Sequence, residues 1–351
     1  MKAIIKTGNG EFELRDVVVP KPGPGQVLVK IIAVAQNPSD LMKLNASAGD
    51  GAVIGDDFAG IVEELGSDIP EGTQKIGDRV AGFVHGVSTA NGASGSFAEY
   101  VVADAHVLIS IPESWSFEQA AQLGLATFTV CQLLYQSQSL ASPANPSDTT
   151  LDVLIWGGAT VVGQYAIQFA HLGGMRVIAT ASKKNFELLR SLGASDVFDY
   201  SDPTTPQKIK QLTGGKLKHA VDCVSAHNAP GQISECLADQ GGVVSVVLPY
   251  ETKRLNVETK FLLVHTLLGR AIDGPASYNL PKSDEERLQF RQRGAQFAKI
   301  ISDVVARGLI KPTSVKLLPN GLASVKDGFQ YMTDGKVSAE KITYIVADTP
   351  K

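Results

Sequence analysis

"LIWGGATVVGQYAIQFA", residues 154–170, decides how the chain is read. An apolar run enters a glycine pair and leaves as a helix-like pattern of apolar residues. A strand, a glycine turn and a helix in that order bring backbone N–H groups and the positive end of a helix dipole to one point, where an anion can rest. Gly157, Gly158 and Gly163 mark the turn, but Thr160 stands where a GxGxxG window opening at Gly158 would place its middle glycine. Strand–glycine–helix junctions also occur in α/β proteins that bind no nucleotide, so the stretch alone leaves both readings open.

On the C-terminal side the same rhythm repeats. "LDVLIW" (151–156), "MRVIATA" (175–181), "DVFDY" (196–200), "KHAVDCVS" (218–225) and "GGVVSVVLP" (241–249) read as strands. "KNFELLRSLG" (184–193) and "NAPGQISECLAD" (228–239) read as helices between them. Repeated βα units of this length predict a doubly wound parallel sheet with helices on both faces. "GGVVSVVLP" fits either an edge strand or a buried central one.

The N-terminal side differs. "QVLVKIIAVA" (26–35), "DFAGIVEELG" (57–66) and "DRVAGFV" (78–84), with the turn cluster "PKPGPG" (20–25), predict a compact β domain. "WSFEQAAQLGLATFTVCQLLYQSQ" (115–138) has helical periodicity with Ser116 as N-cap, and "SLASPANPSDTT" (139–150) is a polar loop. Residues 284–308 predict a long amphipathic helix ended by Gly308, and "EKITYIVA" (340–347) a strand that pairs back onto the N-terminal β domain. The α/β chain thus divides into a β-rich domain, 1–125 with 300–351 returning to it, around a nucleotide domain, 126–299. A length of 351 residues supports two cores.

A net charge of −4 without a basic stripe argues against nucleic acid as a partner. The three cysteines, Cys131, Cys223 and Cys236, form neither a CxxC pair nor a disulfide framework. With no signal-peptide core and no apolar run of membrane-spanning length, the expectation is a cytoplasmic protein without a membrane partner.

The choice of nucleotide rests on "TASKKN" (180–185), about twenty residues beyond the glycine turn, where an NAD site offers an acid to the ribose. Here a hydroxyl and two lysines suit a 2′-phosphate, so the cofactor expected is NADPH. Ser182 also fits an N-cap, and the two roles can coexist.

These segments together resemble the medium-chain dehydrogenase/reductase superfamily, in its zinc-independent quinone-reductase and enoyl-reductase branch. The resemblance is carried by "AVAQNPSD" (33–40), "GDDFAGIVEELGSDI…KIGDRVAGF" (55–83), "GSFAEYVVA" (95–103), "FEQAAQLGLATFTV" (117–130) and "SLGASDVFDY" (191–200), in order. Within the branch the chain is similar to the fungal trans-acting enoyl reductases that serve polyketide synthases. The shared features are Gly-Gly-small-Thr at the phosphate turn, "SKKNF" (182–186) and the acidic run in "KSDEERLQF" (282–290). The resemblance implies a GroES-like β-rich domain and a Rossmann domain. It places Gly157, Ala159, Thr160, Val161, Val162 and Gly163 at the pyrophosphate, the Thr160 hydroxyl bonding a phosphate directly. It further implies Ser182, Lys183 and Asn185 at the 2′-phosphate with Tyr200 nearby, Leu248 and Pro249 bordering the nicotinamide half, and Thr127 facing the nicotinamide side.

The superfamily's alcohol dehydrogenases hold a catalytic zinc through cysteine, histidine and a further ligand. Here "AQNPSD" carries no sulfur, Asp56 stands in "GDD" where a histidine is expected, and the four-cysteine lobe is missing. His85 and His106 are read as surface or packing residues, and no zinc is expected. Without a Lewis acid, conjugate hydride addition to a carbonyl-activated C=C bond is the natural reaction, supported by positioning and by donors to the incipient enolate. The candidate catalytic residues are Thr127, Asn37 and Lys43. Lys43 falls one residue beyond the lysine position of the fungal reductases, which Met42 occupies, and Asp40 is expected to cap the helix. Residues 250–283 are expected to form a substrate-side wall or an interface. The substrate is a free small molecule or a carrier-tethered one, and the protein a monomer or homodimer. The competing functions are an NADPH:quinone oxidoreductase and a non-catalytic NADPH-binding protein.

Overall fold

The computed structural model describes residues 1–46, 49–69, 73–87, 95–272, 275, 278 and 280–351. It forms two compact units, Met1–Leu125 with Leu267–Gly269 and Gln289–Lys351, and Ala126–Thr266 with Arg270–Leu288.

The first unit opens with the antiparallel pair β1 (Lys2–Gly8) and β2 (Glu11–Asp16). The ten-residue β3 (Gln26–Ala35) is its hub, leading into α1 (Pro38–Leu44). It pairs antiparallel with β4 (Asp57–Leu65), which continues the sheet to β5 (Arg79–Phe83). Residues 26–30 of β3 also pair with β6 (Tyr100–Asp104), and β5 pairs with the short β7 (Ile109–Ser110). Val27, Val29, Ile31 and Val34 pack with Phe58, Val62, Phe97 and Val101 in one core.

The predicted helix over 115–138 is broken in two. α2 (Phe117–Ala120) is capped by Ser116, whose Oγ accepts from Gln119 N, as its sequence position suggests. α3 (Gly124–Cys131) then starts afresh. The break has two causes. Asp57 Oδ1 accepts from Leu125 N at 2.5 Å, and a Cβ on Gly124 would lie 2.3 Å from the Gly82 carbonyl oxygen. Beyond Cys131 the helix widens to i→i+5 bonding, with Ser137 N donating to Gln132 O.

The second unit is a six-stranded parallel sheet. Its elements are β8 (Asp152–Trp156), α4 (Val161–Leu172), β9 (Arg176–Ala181), α5 (Phe186–Ser191) and β10 (Asp196–Asp199), followed by α6 (Thr205–Leu212), β11 (His219–Asp222), α7 (Ala229–Cys236), β12 (Gly242–Val246) and β13 (Val257–Phe261). The strand order β10-β9-β8-β11-β12-β13 is that of a dinucleotide-binding sheet, reversing between β8 and β11. "GGVVSVVLP" supplies the internal β12, and the edge is β13, inside the segment read as a wall or interface. Only the first residue of "VETKF" is buried, so its apolar signal is faint. Residues 273, 274, 276, 277 and 279 of that segment lie outside the described residues.

The chain then runs through α8 (Asp284–Ala306), with Gly308 beyond it at φ +64°, to β14 (Ser314–Leu317), α9 (Val325–Thr333) and β15 (Glu340–Ile345). β15 lies antiparallel to β3 and parallel to β14, so the tail strand does pair back onto the N-terminal sheet. Its Lys341, with 4% of its side chain exposed, donates to Asn37 Oδ1 and, at 3.0 Å, to Asp57 Oδ2.

Lys341→Met would leave the Asp57 carboxylate buried without its cation. It is expected to lower the unfolding free energy by about 3–5 kcal/mol in urea titration, with Asp57→Asn in the same chain restoring much of the loss.

Candidate active site

In the second unit, β8 ends at Trp156 and Gly157 turns the chain at φ +78°. Gly157 N donates to Thr180 Oγ1 at 3.1 Å and Gly158 N to Thr180 O at 2.8 Å, fixing the turn to β9. A Cβ on Gly163 would lie 2.3 Å from Gly157 O and 2.8 Å from Gly158 Cα, so glycine there lets α4 begin directly against the strand end. Thr160 is the N-cap of α4. Its Oγ1 accepts from Gly163 N at 3.0 Å and donates its proton to Gly157 O at 2.9 Å. In this structure the hydroxyl proton bonds within the turn. The groups facing out of the helix start are the first-turn amides of Val161 and Val162, with Ala159 preceding them.

At the end of β9, Lys183 is exposed, and Ser182 Oγ makes no capping bond to the turn after it. It accepts instead from Asn185 Nδ2 at 3.3 Å. The parallel register sets Asp199 opposite Ala181, so Ser182 and the half-exposed Tyr200 emerge side by side. Asp199 was not singled out in the sequence, where "DVFDY" gave only a strand. Bonds from the Ser201 hydroxyl and amide hold its carboxyl below the ordinary range, and the Lys183 ammonium adds to the effect.

At the end of β11, the buried Asp222 accepts from Val224 N at 2.9 Å and Ser225 N at 2.8 Å through Oδ1, and from Tyr250 Oη at 3.0 Å through Oδ2. Burial raises its pKa, opposed by those bonds. Leu248 and Pro249 follow β12, and Leu248 N donates to Ser225 Oγ at 3.2 Å. Thr127, on α3, is fully buried.

The first unit holds a second polar cluster, around α1. Asn37 caps the helix, and Asp40 Oδ2 accepts from its amide at 2.7 Å, which makes Asp40 the capping partner expected. Both ends of the Asn37 side chain are engaged. Nδ2 donates to Asp57 Oδ2 at 2.9 Å and Oδ1 accepts from Lys341. Lys43 bonds the buried Asp56, which also accepts from Ser39 Oγ and Gly86 N at 3.0 Å. With 19% of its side chain exposed, Lys43 is anchored yet reaches solvent, whereas Met42 is half-exposed. Burial holds the Asp40 carboxyl well above its usual value. The Asp56 charge acts in the same direction, Lys43 acts against it, and Asp40 Oδ1 has no partner.

His106 Nε2 lies 2.9 Å from Leu267 O. Among the described residues no group of three or more His, Cys, Asp or Glu side chains is placed to hold a metal. Cys131, Cys223 and Cys236 are buried and free; burial pushes the Cys236 thiol up to about 12. No helix among the described residues is long and apolar enough to cross a membrane.

Residues 23–113 match the alcohol dehydrogenase GroES-like domain family, and residues 161–285 the zinc-binding dehydrogenase family. Trans-enoyl reductase traG of Penicillium crustosum is 34% identical over 98% of this chain and 96% of its own. The chain belongs to the medium-chain dehydrogenase/reductase superfamily. Trans-enoyl reductase RAP1 of Pyricularia oryzae is 37% identical over 92% of this chain and 91% of its own. An alcohol dehydrogenase superfamily protein from Novosphingobium aromaticivorans has the same fold, with TM-score 0.78 and 25% identity over 98% of this chain and 99% of that one. CurK enoyl reductase shares the fold, with TM-score 0.72 and 19% identity over 97% and 98% of the two chains. As a superfamily member, the protein is an oxidoreductase that uses a nicotinamide cofactor.

Two substitutions test the assignments of Thr160 and Asp40. Thr160→Ala removes the cap of α4 and is expected to cost about 1 kcal/mol of stability in denaturant titration. Asp40→Asn mimics the neutral acid. Because the folded state raises the Asp40 pKa, ionisation works against folding as pH rises. The variant should match the native protein's stability below about pH 4 and gain on it progressively as pH rises through the raised pKa, measured by urea midpoints across pH.

Proposed function

We propose that the protein is an NADPH-dependent, zinc-independent enoyl reductase, transferring hydride to a carbonyl-activated C=C bond. The observation that carries the cofactor half is the end of β9, where Ser182, Lys183 and Asn185 stand together with no acid on that strand end. The trans-enoyl reductase relatives, matched over nearly the whole chain, support the reaction.

The residues fit the cofactor. Gly157 and Gly163 bring the α4 N-terminus against the strand end, and the Val161 and Val162 amides offer donors to a pyrophosphate there. The cofactor supplies the hydride. The chain supplies binding and donors. Ser182, Lys183 and Asn185, with Tyr200 beside them, take the 2′-phosphate, and Leu248 and Pro249 border the nicotinamide half. Lys43, held in place by Asp56, offers ammonium donors for charge developing on the substrate carbonyl oxygen, and Thr127 is the candidate hydroxyl on the nicotinamide side.

The test is oxidation of reduced nicotinamide with enones, enoyl thioesters (free and carrier-bound) and quinones, with NADPH or NADH and a metal chelator present. Turnover of enones or enoyl thioesters with NADPH, untouched by chelation, is expected. Lys183→Ala should raise the KM for NADPH about tenfold and leave that for NADH within about twofold, as expected for loss of a charge-assisted contact to phosphate. A preference for NADH, or loss of activity on chelation, would overturn the assignment.

A further inference from the structure

The strand order fixes which half of a dinucleotide lies over which strands. The 2′-phosphate residues sit at β9 and β10 and the pyrophosphate turn at β8, so the nicotinamide half falls across the carboxyl ends of β11 and β12. There, the loop after β11 holds two side-chain-bearing residues in left-handed backbone, Ser225 at φ +52° and His227 at φ +58°. That conformation is cheapest for glycine, and residues kept there against the steric cost cluster at functional sites. Asp222 enforces it, accepting from the amides of Val224 and Ser225.

What the serine provides is a fixed hydroxyl. Ser225 Oγ accepts from Val247 N and from Leu248 N, each at 3.2 Å, and these are the first amides beyond β12. Two accepted bonds fill both lone pairs of the oxygen and leave its single proton to be donated. Among the described residues that hydroxyl donates no hydrogen bond. Ser225 is therefore a donor that cannot also accept, fixed where the crevice meets β11 and β12. Thr160 is its opposite, since its proton is already committed to Gly157 O.

We propose that Ser225 Oγ donates to the carboxamide oxygen of the nicotinamide and so fixes the rotation of the ring presented for hydride transfer. The proposal rests on the assignment of a nicotinamide cofactor to this sheet. The carboxamide carbonyl only accepts, matching a hydroxyl that only donates. A ribose hydroxyl also accepts, and the thionicotinamide probe separates the two, because only the carboxamide oxygen is altered in it.

Binding can be read by calorimetry with three probes: NADPH, its thionicotinamide analogue, and 2′,5′-ADP, which covers the adenosine end alone. Ser225→Ala is expected to weaken NADPH about threefold to tenfold, the range of one neutral hydrogen bond, and to leave 2′,5′-ADP unchanged. Sulfur accepts poorly, so the thio analogue should bind the unaltered protein more weakly than NADPH by a similar factor, and Ser225→Ala should add little to that loss. Ser225→Gly relieves the backbone strain and should behave like Ser225→Ala toward all three probes. Equal weakening of NADPH and the thio analogue in both variants would overturn the proposal, because the hydroxyl would then serve only to tie the two loops. Unchanged NADPH binding in both variants would overturn it as well. If the unaltered protein binds 2′,5′-ADP and NADPH at no measurable level, the cofactor assignment itself fails, an outcome distinct from the other two.

Discussion

Asp57 is a carboxylate with no exposed surface, and four parts of the first unit meet on it. Its Oδ1 takes the Leu125 amide at the start of α3, and its Oδ2 takes Asn37 at the start of α1 and Lys341 on the returning β15. It is itself the first residue of β4. Burial raises its pKa, and the Lys341 ammonium and the donated bonds work against that rise. A charge in such a place is tolerated only when its partners are all present. Segments more than 280 residues apart in sequence (Asp57 and Lys341) are thereby held to one geometry. The tail strand is thus joined to the sheet by a charge pair as well as by its backbone ladder with β3.

The second unit depends on a different constraint, the closeness of α4 to β8. At Gly163 no side chain fits between helix and turn, and the Thr160 hydroxyl closes the same turn from inside by bridging Gly157 O and Gly163 N. A tight start brings the unpaired first-turn amides to the carboxyl edge of the sheet, where the strand order reverses. A glycine at 160 would leave the turn open to closer approach of a ligand. A threonine instead closes it with two hydrogen bonds between its own hydroxyl and the backbone, which explains how the stretch keeps a phosphate-turn shape without the usual middle glycine.

Much of this was legible in the sequence because it depends on period and punctuation. The βα alternation from 151 onward, the Ser116 cap, the stop at Gly308 and the strand character of the tail all follow from patterns local to a few residues. What was not legible depends on partners far along the chain. The break within 115–138 needs Asp57 and Gly82, neither of which is marked by local periodicity. β13 was missed because an edge strand buries little, so "VETKF" has no apolar face to show. Asn37 looked available in its turn, but Lys341 and Asp57 claim both of its polar ends. Asp199 entered the site only through the register of β10 on β9, which composition cannot reveal.

The two hydroxyls at the edge of the parallel sheet show why a list of polar residues near a turn falls short of a binding site. Thr160 and Ser225 both lie beside the switch point and both accept backbone amides, but only Thr160 stands out as a candidate in the sequence. The distinction is where the proton goes. Thr160 accepts one amide and donates inward, so its proton is already used within the fold. Ser225 accepts two amides and, among the described residues, donates to none, so its proton is left for a ligand. The fold bears the strain of a left-handed serine to hold that arrangement, whereas at Gly157, where no donor is needed, the same region of backbone is given to glycine. Hydrogen-bond accounting at each hydroxyl, rather than proximity to the turn, separates the residue that builds the crevice from the one that faces into it.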